Sequence, residues 1–170
     1  IVQVADLHYG ALMPKSFIKN IIDRVNALNA DVIVCTGDYV HEFKSANQID
    51  EIWPLLSKLR APLGVYSVLG NHDHWADPAR STHWLKVSGQ DLSHKRVCLK
   101  RHGDKLWLAG AGDFYEDNRS IDPVLQGIPE KDCRIVLAHN PDTADTPYSQ
   151  RVDLFISGHT HGGQVVIPFS

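Results

Sequence analysis

Five short apolar runs in this chain each end in residues that can hold a metal ion or carry a proton. Asp6 and His8 follow Ile1-Val2-Gln3-Val4-Ala5. Asp38 follows Asp31–Cys35 and Thr36-Gly37, and Asn71 and His72 follow Leu63–Leu69 and Gly70. His139 follows Arg134–Ala138, and His159 and His161 follow Val152–Ser157. Each run reads as a β-strand. Ligands of open α/β sheets gather outside the carboxyl ends of the strands, and here each of those ends delivers a polar group. Five of the ten histidines stand in the motifs at these strand ends.

Between the first runs the apolar spacing becomes helical. Lys15–Leu28 carries Phe17, Ile18, Ile21, Ile22, Val25 and Leu28 on one face. Asn47–Leu59 reads as a second helix, in which Pro54 predicts a kink or break. Asp77-Pro78 is a helix start with proline in the first turn, and this helix should run to about Val87. Further on, Arg96–Lys100 and Leu106–Ala109 predict two strands joined by a turn at His102-Gly103-Asp104. Ile121–Leu125 reads as a short helix, and Gln164–Ile167 opens a final strand. The front half is thus β-α-β-α-β and the back half is richer in strands, which together describe a mixed α/β sandwich.

A chain of 170 residues suits one domain. With 43% hydrophobic and 22% charged residues it has the balance of a globular domain, not of a disordered tail. Lys and Arg number 17 against 20 Asp and Glu, a formal charge of −3, which disfavours a broad nucleic-acid surface. Three cysteines imply no disulfide framework. Cys35 reads as apolar filler of its strand, and Cys98 and Cys133 carry no signal of their own. No run approaches the ~18 apolar residues of a membrane span. The chain opens at Ile1, without Met and already inside an apolar run, so residues 1–170 read as one domain lacking the N- and C-terminal parts of a longer protein.

Taken singly, the motifs are weak. Asp6-x-His8 could be a turn with an exposed histidine, and Gly37-Asp38 and Asn71-His72-Asp73 are turn-like. Gly158-His159-Thr160-His161-Gly162-Gly163 is stronger, because two histidines two residues apart between glycines suit a backbone folded around an ion. Jointly, five strand ends finishing in metal-type ligands is not an accident of composition. No P-loop, G-x-S-x-G or H-E-x-x-H occurs, which removes the commonest other hydrolase chemistries.

The ordered set Asp6-x-His8, Gly37-Asp38, Gly70-Asn71-His72-Asp73, His139 and Gly158-His159-Thr160-His161 resembles the calcineurin-like metallophosphoesterase superfamily. The match spans residues 6 to 161. Ala138–Asp142 and Ser157–Val165 further resemble the branch that holds YkuE-like phosphoesterases and UDP-2,3-diacylglucosamine hydrolases. Members usually carry further strands beyond the last motif, and many of that branch have an N-terminal anchor or export signal.

The resemblance implies a four-layered α/β/β/α sandwich of two mixed sheets. It also implies two divalent or trivalent metal ions, Mn, Fe or Zn. By motif position, Asp6, His8, Asp38 and His161 would hold the first, and Asp38, Asn71, His139 and His159 the second, with Asp38 bridging. His72 matches the family's catalytic histidine, and Asp73 would orient it. Physical chemistry agrees. Two divalent ions and two aspartates leave a charge of +2 to meet a dianionic phosphoryl group. Ions about 3.5–4 Å apart can each bind one phosphate oxygen and hold a bridging hydroxide as nucleophile. His72 would then donate a hydrogen bond or a proton to the leaving oxygen.

The implied activity is hydrolysis of a phosphomonoester, phosphodiester or pyrophosphate bond, on a small phosphate ester or a lipid-linked pyrophosphate. The alternatives are a nuclease of the same family and a non-catalytic metallophosphoesterase-like scaffold. The reading leaves the location open between cytoplasmic and membrane-associated. His41 and His74 follow metal motifs in the same loops and are candidates for substrate contact. Asp113 is a candidate for supporting the site, and Trp75 for lining its pocket.

Overall fold

The computed structural model describes residues 1–10, 13–41 and 46–163. In chain order the elements are β1 (Val2–Val4), α1 (Lys15–Ala27), β2 (Ile33–Thr36), α2 (Ala46–Leu56), β3 (Val65–Val68), α3 (Asn71–Ala76), α4 (Pro78–Val87), β4 (Arg96–Arg101), β5 (Asp104–Gly110), α5 (Asp122–Leu125), β6 (Cys133–Leu137) and β7 (Leu154–Ile156). Short 3-10 turns follow β6 at Pro141–Asp145 and β7 at His161–Gly163. The strand expected at Gln164–Ile167 lies outside the described residues.

The strands form two sheets. In the first, β1, β2 and β3 are parallel, with Val4 opposite Cys35 and Cys35 opposite Ser67. In the second, β4 pairs antiparallel with β5, and β5, β6 and β7 are parallel. The second sheet is therefore mixed, while the described strands of the first all run one way.

Period-two alternation sorts the strand side chains into layers. Ile33 and Cys35 of β2 face a core built with Ile18 and Ile22 of α1, Ile49 and Trp53 of α2, and Leu85 of α4. Between them Val34 points the other way, toward Leu108 of β5 and Ile135 and Leu137 of β6. On the far face of the second sheet, Ala109 and Val136 pack with Ile121 and Leu125 around α5. Three apolar layers thus separate helices, sheet, sheet and helix, the four-layered arrangement expected. Each fully buried Leu or Ile in them is worth roughly 1.5–3 kcal/mol relative to exposure. Cys35 is buried as expected, whereas Cys133 lies exposed at the start of β6.

Local chemistry explains most element ends. Pro78 opens α4 behind Asp77, whose side chain accepts the Arg80 N–H at 3.0 Å, a capping bond worth about 1 kcal/mol. Pro54 sits inside α2, which ends two residues later at Leu56 and not at Leu59. Asn71-His72-Asp73, turn-like in the sequence, opens the helix α3. Six residues are too few to show a helical period, so only the fold reveals this element.

Candidate metal centre

The parallel strands β1, β2, β3, β6 and β7 all deliver their carboxyl ends to one place. Side chains join the two sheets there. Gln3 of β1 donates through Nε2 to Thr36 Oγ1 (2.9 Å) and to the Ser157 carbonyl (2.8 Å). The His139 ring donates through Nδ1 to the Thr36 carbonyl at 2.7 Å. A carbonyl can only accept, so this bond fixes the tautomer and leaves Nε2 facing the centre.

Two groups of side chains meet around that point, and a third, His8 with His41 and His72, lies beside them. Asp6, His8 and His161 form one, and Asp38, His139 and His159 form the other, each with its ligand atoms within 4.8 Å of one another. In the first, His8 Nε2 lies 3.0 Å from His161 Nε2, and His161 Nε2 lies 3.7 Å from Asp6 Oδ1. In the second, His139 Nε2 is 3.2 Å from Asp38 Oδ2, 3.1 Å from Asn71 Oδ1 and 3.2 Å from His159 Nδ1. Asp38 stands between the groups, since the same Oδ2 is 3.6 Å from His8 Nε2. The seven residues singled out from the sequence are thus brought together.

The backbone is strained where these residues sit. Asp6, His8, Asp38, His159 and His161 all have φ between 43° and 68°. That left-handed region costs a non-glycine residue on the order of 1 kcal/mol or more, and such outliers cluster at functional sites. Close approach also demands glycine at two positions. A Cβ on Gly70 would run into Asp38 Oδ1 and come within 2.7 Å of His139 Nδ1, and one on Gly158 would lie 2.7 Å from Asp6 Oδ2.

Electrostatics follow from burial and pairing. Burial disfavours the Asp38 charge, yet the hydrogen bond and charge of His139 outweigh it and hold its carboxyl below the usual range. His139 shows the counterpart: burial opposes its cation, but Asp38 raises the imidazole to about 9. Burial lowers His8 to about 4, so its ring is neutral and free to ligate. Burial raises Asp6, against the stabilising hydrogen bond from the His159 amide at 2.9 Å.

His72 lies beside the two groups. Its ring packs edge-on to His8 at 4.7 Å and against Trp75 at 4.8 Å between centroids. Its amide donates to Asp38 Oδ1 at 2.9 Å, and its Nδ1 donates to the His41 carbonyl at 2.7 Å. Asp73 does not orient this ring. Its Oδ2 accepts the amides of Asp38 and Gly70 at 2.9 Å, and its Oδ1 accepts those of Tyr39 (2.9 Å) and Val40 (3.4 Å). A fully buried carboxylate can satisfy four loop amides at once, and that use commits both oxygens. Burial and the charge of Asp38 push its carboxyl up to about 7, while the amides favour the anion. His74 and Asp113 also fall outside the two groups and line a neighbouring cavity of about 330 Å³. The Thr36 and His41 carbonyls, which accept from the His139 and His72 rings, are contacts that side-chain motifs could not announce.

The donor set is four imidazoles, two carboxylates and one amide oxygen, without thiolate. It suits Mn, Fe or Zn, and the glycines leave the ligand atoms unobstructed.

Residues 1–163 match the calcineurin-like phosphoesterase family, and the chain belongs to that family. It is 31% identical to the metallophosphoesterase YkuE of Bacillus subtilis over 99% of this chain and 60% of that protein. It is 31% identical to phosphodiesterase YaeI of Escherichia coli, over 99% and 62%. It is 27% identical to the UDP-2,3-diacylglucosamine pyrophosphatase LpxG of Chlamydia muridarum, over 99% and 65%. The chain spans less than two thirds of the length of each of these relatives. In fold it is similar to the NAD nucleotidase of Haemophilus influenzae, with TM-score 0.54 and 14% identity over 85% of this chain and 32% of that one. Among the described residues no helix is long and apolar enough to cross a membrane. One relative, from Danio rerio, is named a transmembrane protein with a metallophosphoesterase domain.

Proposed function

We propose that this domain is a dinuclear metal-dependent phosphoesterase. The observation that carries the reading is the position of Asp38 Oδ2, 3.6 Å from His8 and 3.2 Å from His139, between two groups that each offer a set of ligand atoms. Asp6, His8, Asp38 and His161 would hold one ion, and Asp38, Asn71, His139 and His159 the other. Bound ions supply Lewis acidity toward the phosphoryl oxygens and an acidified water at neutral pH.

The chain's own residues do the rest. Asp38 offsets the repulsion between two cations by facing both sites. The His139–Thr36 bond holds the His139 ring in one orientation. With Nδ1 tied to the His41 carbonyl, His72 presents Nε2 as the atom that carries a proton to the leaving oxygen. Asp73 acts on catalysis only through the backbone, by fixing the loop that carries Asp38 and the first turn of α3.

The substrate class proposed is a small phosphate ester or a lipid-linked pyrophosphate, in keeping with the phosphodiesterase YaeI and the pyrophosphatase LpxG among its relatives. The test is a panel of phosphomonoesters, phosphodiesters, oligonucleotides and UDP-sugar lipids with added Mn. Turnover of a phosphomonoester, phosphodiester or pyrophosphate supports the reading. Turnover of oligonucleotides alone would favour the nuclease alternative, and none at all the scaffold.

A further inference from the structure

The sequence makes His41 a candidate for touching substrate, and its geometry gives it different work. Its ring Nδ1 lies 3.3 Å from His8 Nδ1, and its backbone carbonyl accepts His72 Nδ1–H at 2.7 Å. The three rings are in mutual contact, with centroids 5.2 Å apart for His8 and His41 and 5.4 Å apart for the stacked His41 and His72. The His41 residue is exposed, whereas the His8 side chain is only 11% exposed, so the ring reaches in from the rim.

We propose that His41 is a positioning residue that braces the ligand His8 through its ring and the proton carrier His72 through its carbonyl. The inference rests on the dinuclear reading for the role of His8, and the tautomers follow from it. His8 turns Nε2 toward Asp38 and His161, so that nitrogen carries the lone pair offered to a metal. Its proton therefore resides on Nδ1, where the atom facing it is Nδ1 of His41. For that contact to be a hydrogen bond, His41 must accept, with its own proton on Nε2.

Ligating histidines nearly always donate their second ring N–H, usually to a carboxylate, a backbone carbonyl or water. Here the acceptor is a second imidazole. It orients the His8 ring without adding negative charge, so the +2 left by two divalent ions and two aspartates stays available to a phosphoryl dianion. The brace on His72 uses a main-chain oxygen and survives any substitution of the side chain, which makes the two functions separable.

The experiment compares wild type with His41→Leu and His41→Asn. Metal content is followed against rising chelator, and the imidazole nitrogens of the metal-free proteins are assigned by NMR. Wild type should release its two ions in separable steps. His41→Leu should weaken retention of one of them by about 10–100-fold, the usual cost of losing such a partner. The other ion should be held as in wild type. His41→Asn, which keeps an acceptor, should recover part of the loss. The dependence of rate on leaving-group pKa should be the same in all three, because the carbonyl still holds His72.

In metal-free wild type, His8 should carry its proton on Nδ1 and His41 on Nε2. Equal loss of both ions in His41→Leu, unaltered retention of both, or a His41 ring protonated on Nδ1 would each overturn the proposal. Failure of wild type to bind two ions would instead count against the dinuclear reading. The NMR assignment of the metal-free protein tells these two failures apart.

Discussion

Asp38 of the loop after β2 and His139 of the loop after β6 meet at 3.2 Å across the gap between the two sheets. Each is almost wholly buried, and each changes the other's ionisation, Asp38 downward and His139 upward. A carboxylate and an imidazolium buried together stabilise the metal-free site, but the same atoms face the position of a cation. Metal and proton therefore compete for one place.

From this competition, ion uptake should expel a proton. His139 is raised to about 9, so at pH 7.5 in the metal-free protein its ring carries a charge that a ligand nitrogen cannot keep. Titration calorimetry in buffers of different ionisation enthalpy should report at least one proton released per chain at that pH, the His139 proton adding to any lost by a metal-bound water. Apparent affinity should rise with pH up to about 9 and level off above it. Uptake without proton release at pH 7.5 would show that the Asp38–His139 pair is neutral.

Asp38→Asn should damage the centre more than Asn71→Ala. The carboxylate faces both sites, whereas Asn71 offers one neutral oxygen on the side of His139. Elemental analysis should find both ions weakened in the first variant and chiefly one in the second. Retention of both ions at wild-type affinity by Asp38→Asn would remove Asp38 from its bridging place.

Asp73→Ala should cost stability. It leaves the amides of Asp38, Tyr39 and Gly70 buried without an acceptor, at about 1–3 kcal/mol each. Urea denaturation of the metal-free protein should show a loss of about 3 kcal/mol or more. A change below about 1 kcal/mol would mean that these amides find other partners and that the loop does not depend on Asp73.

The roles of Asp38 and Asp73 show how far the sequence could be read. The five strand ends were legible because short Val- and Ile-rich runs and the residues after them are local features, and every strand predicted within the described residues is present. The first-turn position of Asn71 and His72 in α3 was not legible, since a six-residue helix has no period to detect. Nor was the work of Asp73. Its adjacency to His72 suggested a direct contact, but a helix sends neighbouring side chains to different faces, and Asp73 points into the loop of Asp38. The acceptors of His139 and His72 are the backbone carbonyls of Thr36 and His41, which no side-chain pattern encodes.

His72→Ala should separate proton transfer from metal binding. Its ring packs on His8 but belongs to neither group of ligand atoms around Asp38, so metal content should stay near that of wild type. Acid–base catalysis typically contributes about 10²–10⁴-fold. The fall in kcat should be largest for alkyl esters and smallest for p-nitrophenyl esters, whose leaving oxygen is stable as an anion. A ratio of wild-type to variant kcat that stays flat as leaving-group pKa rises would assign His72 to phosphate positioning. Loss of metal would return it to the ligand set.

The central claim is that two ions flank Asp38. Anomalous diffraction from crystals grown with excess Mn tests it most directly. The account predicts two peaks per chain, about 3.5–4 Å apart. One should be ringed by Asp6, His8 and His161 and the other by Asn71, His139 and His159, with Asp38 reaching both. A single peak at full occupancy, or two peaks that do not share Asp38, would contradict it.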